Sequence, residues 1–219
     1  MKTPERIVHA SLRLFNDLGE RAVSTNHIAA YLEMSPGNLY YHYANKREIV
    51  AVLFGRYEQQ VRQALAIPAT GAPTVDELRG HLTELLGRMW HFRFFYRDLE
   101  HLLEADPALA SRYRAFSGEC QALGRRLIQR FVDHGILALD ARQAEALTLN
   151  VWIVLTGWVR YCCTHDVQPQ HEAEVIHRGC YQVLSLASGF VQARWLSSIE
   201  SLLSEFGAPL MMQSDQGPG

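Results

Sequence analysis

Residues 33–46, Glu-Met-Ser-Pro-Gly-Asn-Leu-Tyr-Tyr-His-Tyr-Ala-Asn-Lys, hold the side chains of this chain best suited to recognition chemistry. Ser35 is a favoured N-cap and Pro36 suits the first helical position, so a helix is expected to begin there. Its first turns carry Gly37, Asn38, Tyr40, Tyr41 and His42. The four rings at 40–43 wrap round a helix and cannot all face inward. A short helix with a small, hydrogen-bonding leading end is what the DNA major groove admits. A carboxamide there can bond adenine N6 and N7, and a phenol can bond phosphate or rest on a thymine methyl. Leu39 and Tyr43 read as packing residues, and His27 as solvated or packing.

The elements that must hold this helix are legible around it. An apolar stripe through Ile7, Ser11, Leu14 and Leu18, flanked by Val8, Leu12 and Phe15, predicts a helix over about 4–18, opened by Pro4 and closed by Gly19. Ser24 or Thr25 caps a second, short helix through Tyr31 and Leu32, and a Glu33-Met34 turn leads to the Ser35 helix. Asn45, with Glu48 three residues on, resembles a capping box and starts a fourth helix that connects onward over 46–66. Two short helices joined by a turn and backed by a supporting helix make a helix-turn-helix.

The whole chain constrains how such a unit works. It has 219 residues, 48% hydrophobic and 20% charged, and a net charge of −2. That is ordinary for a globular protein and argues against binding nucleic acid or membrane by blanket charge. Residues 1–50 hold six basic and five acidic side chains, so any DNA contact is local. Cys120, Cys162, Cys163 and Cys180 show no disulfide spacing, and the N-terminus has no signal-peptide pattern, which suits reduced thiols in a cytoplasmic protein.

Residues 5–50 resemble the DNA-binding domain of the TetR family of bacterial transcriptional regulators. The resemblance is carried by Ile7 to Gly19, by Val23-Ser-Thr-Asn-His-Ile-Ala30 and by Ser35-Pro-Gly-Asn-Leu-Tyr-Tyr-His-Tyr-Ala-Asn-Lys46. It implies that Thr25 and Asn26 meet phosphates, with Asn26 near a base edge. The family often has Arg in place of Asn26. Ser35, Pro36, Gly37 and Asn38 would lead the recognition helix into the groove. Tyr40 and Tyr41 would divide between phosphate and ring contacts, and His42 and Lys46 would hold phosphate. Family members are symmetric dimers on palindromic duplex DNA, with two such helices ~34 Å apart.

The rest of the chain predicts an all-α protein, a 1–50 head followed by a larger effector-binding and dimerisation domain over 74–206, with 207–219 disordered. Pro68 to Pro73 marks the boundary. Thr74 and Glu77 form a second capping box, and helix runs to about Glu104 with a bend near Trp90–Tyr96. Asp106-Pro107 restarts a helix that Gly135 ends. Asp140 caps another to about His165, and Pro169 opens the last, to Phe206, broken near Ser188-Gly189. The 142–161 helix is apolar all round, through Leu147, Leu149, Val151, Trp152, Ile153, Val154, Leu155, Trp158 and Val159. Its length and Asn150, Thr156 and Arg160 exclude a membrane span, so it is expected between its own core and a second subunit. Ile176, Tyr181, Val183, Leu184, Leu186, Phe190 and Val191 on the last helix could complete a four-helix dimer contact.

By the same resemblance, a small effector enters a pocket in the larger domain and releases the DNA. Candidate walls are Trp90, Phe92, Phe94, Phe95, Tyr96, Trp152 and Trp158, with His91, Arg93, Asn150 and Thr156 as polar groups. These favour a largely apolar ligand. The run Phe92-Arg-Phe-Phe-Tyr-Arg-Asp-Leu99 is similar to the regulatory domain of a TetR subgroup that includes polyhydroxyalkanoate-pathway repressors, implying an acyl or acyl-CoA-type effector. Against this stands a metal-dependent sensor or enzyme built on Cys162, Cys163, His165, His171 and His177. Their spacings lack Cys-x-x-Cys and His-x-x-x-His, and the chain has no Gly-x-Ser-x-Gly, phosphate loop or paired carboxylates. Neither catalysis nor a metal or cofactor is expected.

Overall fold

Side-chain caps set where the helices begin. In the computed structural model, which describes residues 2–66, 71–165 and 172–212 (backbone only for 208–212), α1 spans Thr3–Leu18, α2 Thr25–Tyr31, α3 Pro36–His42 and α4 Lys46–Ala64. The hydroxyl of Ser24 accepts from His27 N at 3.2 Å and that of Ser35 from Asn38 N at 3.2 Å. Each satisfies a backbone donor that the first helical turn leaves free. Asn45 Oδ1 accepts from Glu48 N at 3.1 Å, but the Glu48 carboxylate returns to Ala44 N at 2.9 Å, one residue earlier than a capping box requires. Gly19 ends α1 at φ 92, and Glu33 takes φ 53 in the turn between α2 and α3. There Met34 N reaches back to Ala29 O at 3.0 Å.

The larger domain follows with α5 Val75–His91, α6 Phe94–Ala105, α7 Pro107–Asp133, α8 Ala141–Thr164, α9 Glu172–Ala187 and α10 Leu196–Met212. Thr74 and Glu77 close a full capping box on α5, and Asp140 and Gln143 close another on α8. The bend expected at the aromatic cluster is a break at Phe92-Arg93 between α5 and α6. Two short 3-10 turns, 188–190 and 193–195, interrupt the last stretch, and Val191 bridges antiparallel to Leu137 there. Pro169 lies outside the described residues. Helix α10 continues past the expected end at Phe206 to Met212.

One expectation fails in this domain. Helix α8 has 24 residues, long enough to cross a bilayer, so length does not exclude a span. What speaks against one is its packing against α5, α6, α7 and α9 and its polar positions Asn150, Thr156 and Arg160. The apolar residues of the last stretch are wholly or partly packed within the protomer. Val183 and Leu184 are buried within the protomer, Ile176 and Tyr181 pack against the same core, and Leu186, Phe190 and Val191 join a smaller cluster around Phe131 and Leu147. Helix α10 in turn packs on α9 and α5.

A single hydrophobic cluster runs from the head into the larger domain. Phe15 of α1 and Phe94 of α6, both fully buried, lie with ring centroids 5.2 Å apart. Phe54 of α4 meets Phe95 at 5.4 Å and Phe116 at 5.8 Å. Each buried Phe contributes about 1.5–3 kcal/mol, so the head is seated on the larger domain by apolar contact as well as by chain connection.

Candidate nucleic-acid interface and effector cavity

Helix α3 is held from one side only. Leu39 is fully buried and Tyr43 packs on the core, as their positions predict. Ser35, Pro36, Gly37, Asn38, Tyr40 and Tyr41 are exposed, Tyr41 at 84%. The Asn38 carboxamide has no partner among the described residues, so both its donor and its acceptor face outward. A Cβ placed on Gly37 would meet nothing within 4 Å, so nothing inside the protein requires glycine there. Tyr40 (47% exposed) shares a hydrogen bond of 2.9 Å with the Thr25 hydroxyl, which ties α3 to the start of α2. Asn26 is exposed beside it. The His42 ring lies edge-on to Tyr41, centroids 5.0 Å apart.

Lys46 is the exception, and the structure corrects its assignment as a phosphate anchor. Its Nζ donates to Glu20 O at 2.8 Å and Val23 O at 2.9 Å, and pairs with Glu20 Oε1 at 2.9 Å. All three ammonium hydrogens are thereby used inside the head. Lys46 fastens the turn between α1 and α2 to the start of α4. Its neighbour Arg47 is exposed and without an ion pair among the described residues. Sequence reasoning passed over Arg47, because two adjacent cations look alike until one is seen to be spent.

In the larger domain a cavity of about 150 Å³ opens between helices α4 to α10. Val61, Leu82, Leu85, Met89, Leu155 and Val183 form much of its wall. Of the residues expected at an effector site, Tyr96 and Trp152 line it and the others do not. Trp90 of α5 and Phe94 and Phe95 of α6 are buried in the core that joins head and domain, because α5 packs on α4 and α6 on α1. Asn150 is exposed on the outer face of α8. The Thr156 hydroxyl bonds back to Trp152 O at 2.9 Å, and Trp158 Nε1 donates to Val175 O at 2.9 Å. His91 lies in a separate open cleft between α1 and the α5–α6 break, with His9, Arg13 and Asp17.

Comparison with known proteins decides the family. Residues 7–53 match the model described as bacterial regulatory proteins, tetR family, and residues 56–198 match the one described as bacterial transcriptional repressor, TetR. The chain belongs to the TetR family. A TetR-family transcriptional regulator from Marinobacter aquaeolei VT8 is 38% identical, with a TM-score of 0.88 over 94% of this chain and 99% of that one. A gamma-butyrolactone receptor (14% identical, TM-score 0.62, 94% and 97% covered) shares the fold. So does SmeT in complex with triclosan (15%, TM-score 0.54, 87% and 92%). No curated protein matches the chain. As a TetR-family member the protein is an all-α, DNA-binding transcriptional regulator.

In this regulator the head and the cavity domain meet along a polar seam that sequence reasoning did not find. Asn16, near the end of α1, donates to His91 O at 2.9 Å and accepts from Phe94 N at 3.1 Å. Arg97 of α6 donates to Asn16 O at 3.1 Å and to Phe15 O, and Asp98 accepts from Glu20 N at 2.8 Å. Tyr96, their neighbour on α6, lines the cavity, where its hydroxyl bonds that of Tyr57 on α4. Short polar residues eighty positions apart carry no periodic signal, which is why the seam was invisible in the sequence.

The metal-dependent alternative finds no support. Among the described residues no three of His, Cys, Asp or Glu gather as ligands, and His171 lies outside those residues. His165 stacks on Tyr161 at 3.9 Å and His177 lies edge-on to Phe206 at 5.3 Å. Burial pushes the Cys162 thiol up to about 12.

Proposed function

We propose that the protein is a dimeric repressor that binds a palindromic operator and leaves it when a small, largely apolar effector fills the cavity. The observation that carries this reading is α3, anchored by Leu39 while Gly37, Asn38, Tyr40 and Tyr41 face solvent with no internal task for the Asn38 amide or for Gly37. Asn38 reads an adenine edge, and the hydrogen-only face of Gly37 lets the backbone approach the bases. Thr25, Asn26, Ser35, Pro36 and Tyr40 orient the helix on the backbone, Tyr41 reaches a base or phosphate, and His42 and Arg47 meet phosphate.

Support for the dimer comes from α8. Leu149 (48% exposed), Ile153 (55%) and Tyr161 (47%) lie one helical turn or two apart on its outer face, with Gly157 open between them. A pair of recognition helices then suits two half-sites. Triclosan, bound by SmeT, and the gamma-butyrolactone that names the receptor of this fold are small molecules, and a small molecule is what the cavity here can hold. Such a regulator works in the cytoplasm, where its DNA is.

Selection of bound duplexes from a random pool tests the reading. The full chain is expected to enrich an inverted repeat, and Asn38→Ala to relax one position of each half-site at a cost of ~1–3 kcal/mol. A pool that stays random would overturn it.

A further inference from the structure

The cavity wall carries a chemical specification of its ligand. No Lys, Arg, Asp or Glu lines it among the described residues. A carboxylate or phosphate placed there would be desolvated without a partner, at a cost of several kcal/mol. The polar groups present are few and mostly engaged. The Thr148 hydroxyl bonds Ala144 O at 2.7 Å, Gln121 donates to Ser117 at 3.3 Å, and His81 Nδ1 sits 2.8 Å from Ala64 O.

The Tyr57–Tyr96 pair differs. Both phenols are fully buried, and burial raises both above the usual range, so each keeps its hydrogen at neutral pH. The two hydroxyls bond each other and make no other hydrogen bond among the described residues. One of the two hydroxyl hydrogens lies in that bond, and the second has no acceptor. An unsatisfied buried donor is costly and is relieved by any acceptor brought to it.

We infer that the cavity takes an uncharged, largely apolar molecule about the size of a substituted benzene, whose one hydrogen-bond acceptor meets the free hydroxyl of the Tyr57–Tyr96 pair. The size follows from the volume of about 150 Å³, since an apolar cavity of that order holds benzene. The inference rests on the reading of this cavity as the effector site. It also separates this protein from acyl-CoA recognition, whose phosphates would need cations that the wall lacks. The placement has a consequence for signalling: Tyr57 is on α4, whose first turn carries Lys46 and Arg47, and Tyr96 adjoins the Arg97–Asp98 seam. A ligand bonded to the pair touches both connections to the head at once.

Calorimetric titration of the full chain with acetophenone, ethylbenzene and benzoate provides the test. Acetophenone should bind about fivefold tighter than ethylbenzene, the worth of one net hydrogen bond, and benzoate should not bind at neutral pH. Either tyrosine alone still offers a hydrogen, so Tyr57→Phe and Tyr96→Phe should each keep the preference. The double variant should lose it while binding ethylbenzene as before. Removing both hydroxyls leaves no orphan group, so it should remain folded. Benzoate binding as tightly as acetophenone would overturn the inference and make His81 the ligand's cation. So would a double variant that keeps the preference, or a wild type that binds none of the three. Anisotropy on a selected duplex separates the two proposals. Probes that bind as expected without weakening DNA binding support the ligand class and strike the effector role. DNA binding by a protein with no acetophenone preference strikes the ligand class alone.

Discussion

Lys46 and Arg47 are adjacent cations with opposite duties. Lys46→Ala strands a buried Glu20 carboxylate and two carbonyls, so urea unfolding should show a loss of about 2 kcal/mol with the salt dependence of DNA binding unaltered. Arg47→Ala should leave stability alone, weaken binding to all duplexes alike, and flatten the plot of log affinity against log salt by ~1. Gly37 is a second case in which stability and function part. An added methyl meets nothing in the protein and suits a helix, so Gly37→Ala should raise stability by ~0.5 kcal/mol in the same unfolding assay. DNA affinity should nevertheless fall, because the methyl stands where the bases approach. The residue types at α3 were legible in the sequence. Which cation is spent inside was not, since it depends on where the α1–α2 turn places its carbonyls.

Local chemistry made the helices legible: Ser24, Ser35, Asn45, Thr74, Asp106 and Asp140 all accept from their first turns as their sequence contexts predict. The cavity was not legible, because its wall draws on residues from Tyr57 to Ile199 and an aromatic stripe does not reveal whether it faces a void or a neighbour. The run Trp90–Tyr96 illustrates this. Five of its residues are buried in common core, and only Tyr96 reaches the cavity. Helix α8 was read as apolar all round, whereas Val183 and Leu184 of α9, expected at a partner surface, are buried within the protomer. The proposed dimer contact therefore falls on the exposed stripe of α8. Ile153→Arg should give a folded monomer by sedimentation, with unchanged helicity and binding to operator reduced at least tenfold through loss of the second half-site.

Across the whole molecule, the seam from Asn16 to His91, Phe94 and Arg97 joins the reading head to the cavity domain. Asn16→Ala removes two of its hydrogen bonds but touches neither α3 nor the cavity wall. Operator affinity without ligand and ligand affinity without DNA should both stay within about twofold in binding titrations. The factor by which ligand weakens DNA binding should shrink, since that factor is the coupling free energy between the sites. Underlying all of this is the claim that α3 reads DNA as one half of a pair. Native mass spectrometry of the full chain with a selected duplex addresses it directly. Two chains are expected on each inverted repeat, with no stable species holding one chain, and that stoichiometry should be lost when either half-site is scrambled. A single chain bound to the intact duplex, indifferent to the loss of a half-site, would contradict it.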